Sequence, residues 1–132
     1  IVTFKLGGKA ELPSPLDYLV VESPKAPLAG DAEIWQVGMQ RFAENCQFCH
    51  GAYAISSGVI PDLRWSASSA SEDSWAAVVR DGALTANGMV GFSDIIDDDE
   101  IEAIRLYVLR QAWLAVENGT ADTPALAAAG DQ

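Results

Sequence analysis

Two cysteines three residues apart, followed at once by the chain's only histidine, make up Cys46-Gln47-Phe48-Cys49-His50. Each thiol can add across one vinyl group of a haem, and the adjacent imidazole is placed to bind the iron from the same side. Cys-x-x-Cys-His is the signature of c-type haem attachment. Other readings of the pentapeptide fit less well. A structural zinc site takes four ligands, normally sulfur and nitrogen, and two cysteines with one histidine leave it short. A thioredoxin-type redox pair needs a βαβ setting, and none is visible. A plain structural disulfide gives the neighbouring histidine no reason to be there.

His50 fills one axial position of such an iron and excludes a bis-histidine haem, since there is no second histidine. The lysines Lys5, Lys9 and Lys25 all fall in the first 30 residues, far from the motif. Two methionines remain. Met39 precedes Cys46 by seven residues, about two helical turns on the attachment side, from which the opposite ring face is hard to reach. Met89 sits in Asn87-Gly88-Met89-Val90-Gly91-Phe92, where flanking glycines would let backbone come close to a porphyrin edge. Met89 is therefore the expected sixth ligand, and the competing reading is core filler beside an open sixth site. Thioether ligation opposite histidine raises the potential and fills the coordination sphere, which favours electron transfer. An open site would suit ligand binding or peroxidase chemistry.

Around the iron, the imidazole's other N–H needs an acceptor to fix the ring. A backbone carbonyl of the Ile60-Pro61-Asp62 loop is the expected one. Arg64 and Trp65 follow directly and can donate to the haem propionates, with a solvated surface charge as the other reading of Arg64. Trp75 and Trp113 read as packing residues.

The elements that must position these groups follow from periodicity. Ile34, Gly38, Phe42 and Cys46 recur every four residues, one stripe of a helix over 31–45. Asp31 is its N-cap, and Gly38 suggests a close crossing with another helix. Residues 51–67 read as loop, broken by Gly58 and Pro61. Ser69-Ala70-Ser71-Glu72 reads as a capping box for a helix through Trp75, Val78 and Val79 that stops before Gly82. Residues 83–92 read as a second loop. Asp97-Asp98-Asp99-Glu100 caps a helix to about Val116, with a stripe of Ile101, Ile104, Tyr107 or Val108, and Leu109 or Ala112; the four acids suit its positive N-terminus. Residues 1–6 alternate like a strand, and Gly7-Gly8 closes them. Pro13, Pro15, Pro24 and Pro27 make residues 9–30 an extended linker. Residues 118–132 read as a flexible tail.

The 132 residues suffice for one domain, and 49% apolar content marks it as globular. No run approaches the ~20 apolar residues that span a bilayer. Nineteen acidic residues against eight basic give a net charge of −11, so nucleic acid and anionic membranes are poor partners. That acidity serves solubility, or offers a docking face to a basic redox partner. The chain starts at Ile1, so a processed product or an excised piece is expected, and covalent haem attachment points to the periplasm.

Gly38, Phe42, Cys46, Cys49, His50, the Pro61 loop, Met89 and Tyr107 together resemble a class I cytochrome c over residues 31–116. The resemblance implies an all-α fold whose first and last helices cross near Gly38 and Tyr107, with Pro61 accepting from His50. Val90 departs from the common Gly-Met-Pro pattern. Gly58-Val59-Ile60-Pro61-Asp62-Leu63-Arg64, Asp81-Gly82-Ala83-Leu84 and Ala86 to Phe92 are similar to the C-terminal haem domain of quinohaemoprotein alcohol dehydrogenases. In those periplasmic enzymes a β-propeller with pyrroloquinoline quinone and calcium oxidises the alcohol. Phe4 to Ala10 resembles the last propeller strand entering the linker.

The implied organisation is a residual propeller strand and proline-rich linker over 1–30, a cytochrome c domain over 31–117 and a tail over 118–132. Its cofactor would be one covalent haem c, held by Cys46, Cys49, His50 and Met89 with Pro61, Arg64 and Trp65 around it; quinone and calcium would stay with the propeller. The expected function is electron transfer from the quinone-bearing domain to a downstream acceptor, without dehydrogenase activity of its own. A free-standing periplasmic cytochrome c, or a ligand-binding or peroxidatic haem protein, is the alternative.

Overall fold

The computed structural model describes Gly7, Lys9 and residues 22–56 and 60–118. The expected strand over 1–6, the linker residues 10–21, Gly58 and the tail beyond Asn118 lie outside the described residues. Among the described residues the regular structure is all helical, with no strand.

The first helix, α1, spans Ala32–Asn45. Asp31 caps it as expected, its carboxylate accepting from the Glu33 and Ile34 N–H groups at 3.0 and 3.1 Å. Those are two of the donors that a helix start leaves unmatched. One face of α1 buries Gly38 and Phe42 against the last helix, α4, Asp98–Glu117. Gly38 is what permits the contact. A Cβ there would lie 2.0 Å from the Ala103 carbonyl oxygen and 2.8 Å from the Tyr107 Cβ, so only glycine lets the helices approach this closely. Phe42 then packs on Tyr107 with ring centroids 5.5 Å apart. Full burial of a side chain such as Phe42 or Leu109 contributes roughly 1.5–3 kcal/mol each.

α4 begins with a reciprocal cap. The Asp97 carboxylate accepts from the Glu100 N–H at 2.8 Å, and Glu100 accepts from the Asp97 N–H at 3.3 Å. Glu100 also takes a 2.7 Å bond from Arg41 Nε of α1, which ties the start of α4 to the crossing. All the stripe residues expected of α4 are buried: Ile101, Ile104, Tyr107, Val108, Leu109 and Ala112.

Between the crossing helices the chain forms short pieces. α2, Gln47–His50, is one turn continuing from α1. The expected loop over 51–67 contains three 3₁₀ turns or their starts, at Ala52–Ala54, Leu63–Trp65 and Ala67–Ala70. α3 spans Glu72–Val79 and buries Trp75 and Val79. Its cap differs from the sequence reading: Ser71 accepts from the Ser74 N–H. Ser69, expected to open the capping box, is instead fully buried in the preceding turn and donates to the Ser66 carbonyl at 2.8 Å. The linker residues 22–30 are non-helical and lie on the helical body. Trp35 Nε1 donates to the Ala29 carbonyl at 2.9 Å and Trp113 Nε1 to the Ala26 carbonyl at 3.0 Å.

Candidate haem site

Cys46 ends α1, and its own N–H still bonds the Phe42 carbonyl at 2.8 Å. The chain then turns once more: the Cys49 and His50 N–H groups both donate to the Cys46 carbonyl, at 3.2 and 2.9 Å. Residues at i, i+3 and i+4 share one helix face, so both thiols and the imidazole fall on the same side. Phe48, between them, is 99% exposed and points away. Both cysteines are free thiols, Cys46 buried and Cys49 exposed. Burial, aided by the nearby Cys49, pushes the Cys46 thiol up to about 12. Among the described residues no group of three or more His, Cys, Asp or Glu side chains could hold a metal ion, so zinc is not offered the set it prefers.

His50 is only 9% exposed. Burial lowers its pKa, because the charged imidazolium loses hydration, and the Pro61 backbone carbonyl opposes that shift. Nδ1 has no acceptor in good hydrogen-bond geometry. The Pro61 carbonyl is thus near enough to favour a proton on the ring but not aligned with Nδ1. Burial thus favours the neutral imidazole, the form that coordinates metal.

Asp62, after Pro61, organises the next turn. Its carboxylate accepts from the Arg64 N–H at 3.0 Å and from Arg64 Nη2 at 2.7 Å. Arg64 is 5% exposed, and its guanidinium stands 5.2 Å from the Trp65 ring centroid. The reading of Arg64 as a solvated surface charge is therefore corrected: it is a buried cation, neutralised by Asp62. Sequence reasoning gave Asp62 no role, although an Asp two residues before an Arg at a turn start is a legible capping signal.

Met89 lies in the loop after α3, half-buried and packed against the cluster that contains Cys46, Trp75 and Val79. The loop is tied down by the Met89 N–H to the Leu84 carbonyl at 3.2 Å and the Phe92 N–H to the Val79 carbonyl at 2.8 Å. Its two glycines play different parts in the loop. Gly88 has φ +94° and nothing within 4 Å of a Cβ, whereas a Cβ at Gly91 would meet the Arg80 carbonyl oxygen at 2.8 Å. Gly88 supplies a left-handed turn and Gly91 lets the loop close on its own start. Met39 is exposed and lines an outer groove of about 460 Å³ with Phe42, Tyr53 and Tyr107, whose walls include neither His50 nor Met89.

Two thiols and a buried neutral imidazole on one face, with a half-buried thioether in the loop beyond, match the donor set of a covalently held haem. Among the described residues, the buried Trp75 Nε1 has no protein partner, which fits a group that enters the same core.

Comparison with known proteins agrees. A family profile described as cytochrome c oxidase, cbb3-type, subunit III matches residues 30–108. The chain is 39% identical over 114 residues to quinohemoprotein alcohol dehydrogenase ADH IIB of Pseudomonas putida, covering 86% of this chain and 16% of that protein. It is 39% identical over 112 residues to the dehydrogenase subunit of the alcohol dehydrogenase (quinone) of Acetobacter aceti, covering 85% and 15%. The solved structure of quinohemoprotein alcohol dehydrogenase ADHIIG from Pseudomonas putida HK5 superimposes with a TM-score of 0.67 at 29% identity, over 89% of this chain and 17% of that one. The chain thus spans only about 16% of the length of the curated relatives it matches. Size, profile and fold converge: the chain belongs to this cytochrome family, and is a cytochrome c domain of the quinohaemoprotein alcohol dehydrogenase type, with haem c as its cofactor.

Proposed function

We propose that this domain relays single electrons from a quinone-bearing dehydrogenase domain to a downstream acceptor, and catalyses no substrate oxidation itself. The observation that carries the reading is the shared face of Cys46, Cys49 and the buried His50. When bound, the haem supplies a one-electron redox centre. Cys46 and Cys49 would anchor it through thioether bonds, and His50 and Met89 would be its iron ligands. Pro61 would offer a carbonyl that orients His50, and Arg64 and Trp65 would donate to the propionates. Asp62 holds the Arg64 side chain in place, so less ordering remains for binding. The half-buried Met89 loop, pinned at Leu84 and Val79, would help shield the bound iron from water.

Residues 31–117 form the redox unit, and residues 1–30 connect it to the domain that delivers electrons. Covalent haem attachment favours the periplasm, and among the described residues no helix is long and apolar enough to cross a membrane. The net charge of −11 favours a basic acceptor surface.

The spectrum of the oxidised, haem-loaded chain tests this reading. A weak near-infrared band, the mark of thioether ligation, is expected and should vanish in Met89→Ala. A high-spin spectrum of the unaltered chain would replace electron transfer with ligand chemistry. Alcohol oxidation by the purified chain with a dye as acceptor would also overturn it.

A further inference from the structure

Trp75 is a core residue of α3, 3% exposed, and its indole N–H reaches neither solvent nor an acceptor. The contrast with two other tryptophans is direct. Trp35 and Trp113 each donate to a backbone carbonyl, Ala29 and Ala26, at 2.9 and 3.0 Å. A dry, unpaired N–H is costly, and buried polar groups as a rule have partners. An indole at this position therefore needs an acceptor that the described residues do not supply.

Trp75 belongs to the same buried cluster as Cys46, and Leu63, Met89 and Phe92 pack against that cluster. Trp75 thus shares the core that a haem bonded to Cys46 would enter. A haem whose four ring nitrogens bind iron keeps only its two propionate carboxylates as strong acceptors. The Met89 sulfur is a weak one. A propionate carried into this core would in turn need donors beside Arg64, whose Nε and Nη2 groups also bond Asp62. We infer that the Trp75 Nε1–H donates a hydrogen bond to one haem propionate, which makes Trp75 a positioning residue for the cofactor. The inference rests on the haem reading above, and the c-type absorbance of the same sample checks that reading separately.

The experiment uses the reduced, haem-loaded chain with its four tryptophans labelled with ¹⁵N. Trp75→Phe assigns the Trp75 indole resonance by its loss; if that variant does not fold, Trp35→Phe, Trp65→Phe and Trp113→Phe assign it by elimination. In the unaltered protein the Trp75 indole proton should exchange slowly with solvent and show nuclear Overhauser contacts to propionate methylene protons. In Trp75→Phe the propionate bending band in the resonance Raman spectrum should shift, and in Trp113→Phe it should not. Contacts to the Met89 methyl with none to a propionate would overturn the inference in favour of the thioether. Rapid indole exchange, or an unmoved Raman band in folded Trp75→Phe, would overturn it as well. A chain that never acquires c-type absorbance would overturn the haem reading itself, and this inference with it.

Discussion

The α1–α4 crossing and the segment from Cys46 to Ile96 are built from the same chain but closed in different ways. At the crossing, protein satisfies protein: Gly38 admits the Ala103 backbone, Phe42 meets Tyr107, and Glu100 answers both Asp97 and Arg41. In the intervening segment, short turns replace long helices, Tyr53 and Ala54 adopt left-handed φ values of +59° and +62°, and both buried side-chain polar atoms that lack a partner among the described residues, on His50 and Trp75, occur. Strain and unmatched polar groups concentrate where a cofactor is held. The crossing is a frame, and the segment between is a mould.

The largest test of this contrast is to withhold the haem. With Cys46→Ala and Cys49→Ala together, we expect far-ultraviolet helical signal from α1 and α4 to persist, while near-ultraviolet signal and hydrogen-exchange protection in residues 46–96 are lost. Equal protection in both regions would erase the distinction.

The next largest effect targets the frame. Gly38→Ala would place a methyl group 2.0 Å from the Ala103 carbonyl oxygen, which is backbone and cannot swing aside. Overpacking of this kind costs about 3 kcal/mol, a fall in thermal midpoint of roughly 10–20 °C for a domain of this size. Calorimetry of the haem-loaded chain measures it. A loss of near-infrared thioether absorption without a change in midpoint would mean that the crossing serves the mould instead.

A smaller effect of opposite sign is expected in the mould. Tyr53 is exposed yet held at φ +59°, a conformation that asparagine accepts more readily than a bulky residue. Tyr53→Asn should stabilise the chain by about 0.5–1 kcal/mol, read as a higher denaturant midpoint. Destabilisation would show that the ring's contacts in the outer groove outweigh the strain.

This division also decided what could be read from the sequence. The frame was legible because it obeys local rules: Asp31 and Asp97 cap where side-chain chemistry says they should, and a glycine in a four-residue stripe marked the crossing. The mould was legible in its reactive residues and in the helix through Trp75 and Val79. Cys46, Cys49, His50 and Met89 stood out by type and spacing, but their surroundings depend on contacts that no periodicity encodes. Ser69 had the pattern of a cap and was taken by the Ser66 turn; Arg64 read as well exposed as buried until Asp62 was seen to hold it. The left-handed Tyr53 and Ala54 carry no glycine to announce them.

The smallest effect at neutral pH should become visible only in alkali. Tyr107 is buried against Phe42 in the frame, and desolvation, then the neighbouring Tyr53, raise its hydroxyl pKa, with Arg110 acting the other way. An unfolded tyrosine releases its proton near pH 10, whereas folded Tyr107 holds its proton to higher pH. Its contribution to stability is therefore fully present below about pH 10 and lost as pH rises through the folded value. Tyr107→Phe keeps the ring packing and removes the titrating group, so stability should change little at pH 7 and the alkaline decline should flatten. Denaturant midpoints of the haem-loaded chain from pH 8 to 11 measure this, with Cys46 and Cys49 no longer titrating as thioethers. If the decline survives in Tyr107→Phe, the alkali-sensitive group lies in the mould, and the frame is not the part that yields first.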